Sequence, residues 1–156
     1  MSKHRIAEIL CILILVVFIG VLSVEETISD KTAKEVGSLL FSQLDCEGLK
    51  EQSELEIKKE LSVSADSYEG IYYIKSDEIM DVREILVIKL NEGQSADSAV
   101  SKIEKRIEKK QTLFDGYAPE QSAMLQNYVL KVKAGFVFYA VWDDSAAAVS
   151  ALNKIL

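Results

Sequence analysis

Phe114, Asp115, Tyr117, Pro119 and Glu120 form the densest local grouping of residues able to touch a ligand. As a loop they would offer aromatic faces and carboxylates to a sugar or peptide. As a helix-to-helix corner, Phe114 would be the last core residue of one helix, and Tyr117 would close the turn around Asp115–Gly116. The first reading makes this stretch a candidate interaction surface; the second makes it a packed structural corner. Other acids pair up more simply. Asp143 or Asp144 suits a helix N-cap. Glu25–Glu26 and Asp77–Glu78 are adjacent in sequence and lack the spacing of ion-binding loops. A glycosidase-like acid pair, about 5–10 Å apart, would leave no mark in sequence.

Several chemistries are excluded by what is missing. The sole histidine is His4, so residues 25–156 can build no Ser-His-Asp or Cys-His nucleophile system and no ordinary His/Cys zinc site. No P-loop, G-x-G-x-x-G or G-x-S-x-G occurs. The sequence therefore nominates no catalytic residue, no metal ligand and no cofactor. Cys46 is the only cysteine after residue 24. It cannot form a disulfide within that part of the chain, and reads as a small, partly buried apolar residue. Lone Trp142, at a strand end, reads as core, with a stacking platform as the alternative.

The compartment is set by Ile9–Leu22, ILCILILVVFIGVL, with Lys3, His4 and Arg5 before it and Glu25, Glu26 and Asp30 after it. Extended to Ile6–Val24, a helix at about 1.5 Å per residue reaches roughly 29 Å, the thickness of a hydrocarbon core. The expected partner of this segment is the lipid bilayer. A cleaved signal peptide is the rival, but Val21–Ser23 is a poor cleavage site. A buried core helix would carry a polar face, which this run lacks. Positive residues stay cytoplasmic, so the N-terminus is expected inside and the C-terminal domain outside. The expected localisation is single-pass in the cell membrane, or secreted after cleavage.

The chain carries −7 at pH 7; Lys3 and Arg5 against Glu8 put +1 on residues 1–24, leaving −8 on residues 25–156. That is a poor footprint for nucleic acid, which requires a basic surface. The length allows one domain with one core. The expected organisation is residues 1–24 as tail and anchor, 25–29 as a membrane-proximal segment and 30–156 as the domain.

Within the domain, a helix capped by Ser29 or Asp30 is expected through Leu44, with Ala33, Val36, Leu40 and Leu44 inward and Gly37 weakening its middle. Asp45–Gly48 breaks the pattern, and a short helix spans Glu54–Leu61. Strands are expected at Tyr68–Ile74 and Glu84–Leu90, and the latter is apolar on both faces. Gln94–Phe114 reads as the longest helix of the domain, striped by Ala96, Ala99, Val100, Ile103, Ile107 and Phe114. Lys102, Lys105, Arg106, Lys109 and Lys110 crowd one flank, expected as a solvated face whose stems cover the apolar edge. Pro119 opens a short helix to about Asn127. Tyr128–Lys133 and Phe136–Trp142 make a hairpin turning at Ala134–Gly135, and a final helix follows. This predicts an α+β fold: one N-terminal transmembrane helix, then a four-stranded, mainly antiparallel sheet with helices mainly on one face.

The stretch FDGYAPEQSAMLQN at Phe114–Asn127, with EILVIKL before the long helix and the hydrophobic hairpin after it, resembles a bacterial family known only as domain of unknown function 4358. The resemblance covers about residues 30–156. It implies an envelope location and no particular activity. Lipoprotein-like members have a lipobox cysteine, which this chain lacks. The functional expectation is a membrane-anchored extracytoplasmic module that binds or scaffolds an envelope protein or polymer, without catalysis. The alternatives are an accessory subunit of a surface-polymer-modifying membrane complex and a carboxylate-dependent polysaccharide-modifying enzyme.

Overall fold

The structure is a computed structural model and describes residues 28–156. The apolar segment Ile6–Val24, with His4 and Cys11, and the pair Glu25–Glu26 lie outside the described residues. Among those described, no helix is long and apolar enough to cross a membrane.

The chain order is α1 (Ala33–Gln43), β1 (Leu49–Glu51), α2 (Glu54–Leu61), a 3-10 turn (Ala65–Ser67), β2 (Gly70–Ser76), β3 (Glu84–Lys89), α3 (Asp97–Phe114), α4 (Pro119–Gln126), β4 (Val129–Lys133), β5 (Phe136–Val141) and α5 (Ser145–Ile155). The class is α+β, but the sheet has five strands rather than four, in the order β1-β2-β3-β5-β4, with every pair antiparallel. The additional strand, β1, holds one apolar residue, Leu49. Three residues reading Leu-Lys-Glu carry no strand signal of their own. β1 exists because the edge of β2 offers unpaired backbone groups, with Leu49 opposite Ser76 and Glu51 opposite Ile74.

The helices cover both faces of the sheet, not mainly one. α1 and α5 bury Val36, Leu40, Ala148 and Leu152 against Ile74, Ile85, Val87, Phe136 and Phe138. On the other face α2, α3 and α4 bury Ile57, Leu61, Ile103, Ile107 and Leu125 against Tyr73, Leu86, Ile88, Val137 and Tyr139. The cause is the double-sided apolar character of β3 and β5. Every residue of both strands is buried, so each face needs its own cover.

Local chemistry fixes the helix ends. α1 starts at a capping box, in which the Thr32 hydroxyl accepts from Glu35 N at 3.2 Å and Thr32 N donates to Glu35 Oε2 at 2.7 Å. Thr32 is therefore the cap, in place of Ser29 or Asp30. Ser53 and Glu56 repeat the device at α2, and Asp144 caps α5 by accepting from Ala146 N and Ala147 N, each at 3.0 Å. Gly37 sits where the Tyr72 ring presses on α1: a Cβ there would lie 2.0 Å from Tyr72 Cδ1. The chain reaches α1 past the β4–β5 turn. Ser29 N donates to Ala134 O at 3.1 Å, and Ile28 packs beside Gly135.

Candidate functional site

The strand pleat puts Glu84, Leu86 and Ile88 on one face of β3, the face under α3. Glu84 is thus a carboxylate at an apolar position, and it is completely buried. The register pairs Leu86 with Tyr73 on one side and Tyr139 on the other. Both tyrosines therefore share that face, one step along from Glu84. Tyr73 Oη donates to Glu84 Oε2 at 2.6 Å, and Tyr139 Oη to Oε1 at 2.5 Å. From above, Arg106 and Lys110 sit four apart on α3 and so share one helix face. Arg106 Nη2 meets Oε2 at 2.7 Å and Lys110 Nζ meets Oε1 at 3.0 Å. Each carboxylate oxygen accepts one hydroxyl and one cation.

The network continues outward. Arg106 Nη2 also reaches Glu60 Oε2 on α2 at 3.0 Å, and Lys75 Nζ reaches Glu60 Oε1 at 2.7 Å. One buried nitrogen, Arg106 Nε, has no hydrogen-bond partner among the described residues. Burial alone would push the Glu84 carboxyl up. The charges of Lys110 and Arg106 and the hydroxyls of Tyr139 and Tyr73 overcome it and hold the group at about 2. Burial raises both tyrosine hydroxyls, reinforced by the Glu84 charge. Lys110 shifts the other way from what a simple pair would give. Burial lowers it, and the like charge of Arg106 adds to that, against the pull of Glu84. Lys110 shares Glu84 with Arg106, so it does not receive a whole counter-charge.

Beside this network opens a cleft of about 430 Å³. Its walls are Lys59 and Glu60 of α2, Lys75 and Ser76 at the end of β2, residues 77–79, 81 and 82 of the β2–β3 loop, and Arg106, Lys109, Lys110, Leu113 and Phe114 of α3. Arg83 closes one corner, held by Asp81 (Nη2–Oδ2 2.7 Å) and stacked over the Trp142 ring at 5.8 Å. A second hollow, about 640 Å³, lies at the opposite end of the sheet beside Ile28. It shows no comparable convergence of charged groups.

The cleft can hold an anion better than it can do acid–base work. A general acid needs a raised pKa and a path to substrate; Glu84 has a depressed one and no exposed surface. Among the described residues no group of three or more His, Cys, Asp or Glu could hold a metal ion.

The five residues singled out from the sequence separate in space. Phe114 packs against the core beneath α3 and lines the cleft. Asp115 lines a different, shallow groove with Glu108, Gln111 and Ser122. Tyr117 points outward, 75% exposed, and its N–H donates to Phe114 O at 3.2 Å. Pro119 and Glu120 are exposed in the first turn of α4. Trp142 and Cys46 are buried in the core. The basic flank of α3 is not uniformly solvated: Arg106 and Lys110 turn inward, while Lys105 and Lys109 stay exposed. Sequence reasoning missed Glu84, Tyr73, Tyr139 and Glu60. The available signal was an acid in phase with Leu86 and Ile88 on a strand read as buried, with a basic pair at four-residue spacing nearby.

The chain belongs to the family described as domain of unknown function (DUF4358), whose sequence model matches residues 42–142. That span runs from the end of α1 to Trp142 and contains the whole Glu84 network. Searches of curated proteins and of solved structures found no match.

Proposed function

We propose that the protein is a membrane-anchored, extracytoplasmic binding module of the bacterial envelope, and that the cleft beside Glu84 is its binding site. The observation that carries this reading is the placement of the two ends of the sheet. The chain arrives at Ile28–Ser29, against the β4–β5 turn. The cleft lies where β2 ends and β3 begins, at the other end of the strands. Strands of six residues separate these ends by about 20 Å. A helix formed by Ile6–Val24 would thus hold the domain with its cleft turned away from the bilayer, toward envelope partners. Exposed Tyr117, with Asp115, Pro119 and Glu120, extends the same side of the molecule as further contact surface.

The test is site-directed labelling in intact cells. A Leu113→Cys variant, made with Cys11→Ser so that only buried Cys46 remains, should react with a membrane-impermeant maleimide. A Lys3→Cys variant should react only after lysis. A photo-crosslinker at Leu113 should then yield discrete adducts, and one at Val132 should yield fewer. A Leu113→Cys protein protected until lysis would overturn the placement, and equal adducts at the two positions would overturn the role of the cleft.

A further inference from the structure

We infer that the cleft takes a small organic oxyanion, a carboxylate or phosphate carried on an apolar body, held by Lys59 and Lys109 and covered by Leu113 and Ile79. This names the ligand class of the site proposed above and rests on that reading. The domain is strongly acidic, yet the cleft is lined by more cationic than carboxylate side chains, six against four. Three of its four carboxylates are already committed; Glu78, exposed on the β2–β3 loop, makes no ion pair among the described residues and stands against two unpaired lysines. Glu60 serves Arg106 and Lys75, Asp81 serves Arg83, and Asp77 serves Lys50, outside the cleft. Glu84 is enclosed behind Arg106 and Lys110. Lys59 and Lys109 make no ion pair among the described residues, and both are exposed at the mouth. They stand on neighbouring helices, so one anion between them would satisfy both.

The apolar part follows from the same rim. Leu113 lies four residues beyond Lys109, on the same helix face, and is 66% exposed; Ile79, on the β2–β3 loop, is 88% exposed. Both line the cleft. Cations beside bare aliphatic side chains match a ligand with one charged and one apolar part. The volume, about 430 Å³, falls within the usual span of small-molecule sites, roughly 300–1,000 Å³. A bilayer headgroup is the wrong source, because the cleft opens at the end of the sheet remote from the arriving chain.

The experiment is a titration of the full chain in non-ionic detergent, followed by amide NMR shifts, with phenyl phosphate and benzoate as probes. Saturable shifts are expected across residues 75–82 and 109–114, and benzyl alcohol, without the charge, should give none. Inorganic phosphate should bind about tenfold more weakly for want of the apolar contact. Lys59→Glu with Lys109→Glu should weaken phenyl phosphate by at least about tenfold. Lys59→Gln with Lys109→Gln should act in the same direction if the first variant folds poorly. Lys105→Glu, on the same helix but outside the cleft, should leave binding unchanged. Absence of saturable shifts in these segments, benzyl alcohol matching phenyl phosphate, inorganic phosphate matching it, or unchanged affinity in both double variants would each overturn the inference. The titration uses purified protein, so its failure is distinct from a failure of the cellular labelling.

Discussion

Glu84 accepts from two tyrosines and two cations in a space closed to solvent. Removing the charge would strand Arg106 and Lys110 in the interior. Glu84→Gln should therefore cost about 3–5 kcal/mol of unfolding free energy, measured by chemical denaturation. The pH dependence follows from the same site. The carboxyl is held at about 2 in the fold against 4.5 in the open chain. A depressed folded value stabilises above the unfolded one, so the contribution is complete above about pH 4.5 and is lost as pH falls toward 2. A separation of that size is worth about 3 kcal/mol. An acid titration of stability should show this loss in the wild type and lack it in Glu84→Gln. The strand bearing Glu84 was legible, because EILVIKL is apolar on both faces. Its partners were not. Tyr73 and Tyr139 meet Glu84 only through the β2–β3 and β3–β5 registers, and register between distant segments is set by tertiary packing.

Elements were legible where their signals were local. α2 lies where the sequence put it, and the hairpin turns at Ala134–Gly135, both with positive φ as a two-residue turn of this type requires. β1 was not legible, since its pairing with β2 is its only reason to exist. Gly37 shows the same limit from the other side. In sequence it is a weak point in a helix; in the fold it is the space the Tyr72 ring occupies. Gly37→Ala, which should favour an isolated helix, is expected instead to destabilise the protein by about 1–3 kcal/mol through overpacking. Adding Tyr72→Leu should recover part of that loss, a coupling that a double-mutant cycle of unfolding free energies would measure. At the start of α1, Thr32→Ala should cost about 1 kcal/mol, while Ser29→Ala should cost much less.

At the scale of the molecule, the sequence carried the class and the family, because both rest on periodicity and on the Phe114–Asn127 motif. It missed the two-sided cover, which depends on where α1 and α5 dock. That cover encloses Cys46, whose thiol burial pushes up to about 11. In a Cys11→Ser protein, Cys46 should therefore resist a thiol reagent at pH 8 and react fully in urea. The strand order carries a kinetic consequence. The centre of the sheet is the pairing of β3 with β5, whose hydrogen-bonded side chains Glu84 and Tyr139 are 55 residues apart. Until β5 has been made, β3 has one bare edge and two apolar faces without their full cover. A chain stopped after Lys133 should show no cooperative thermal transition by circular dichroism. Closure of so long a loop also makes folding slow relative to helical domains of this size. The growing chain thus stays extensible while β5 is unmade, and becomes a rigid body only once that strand is in place.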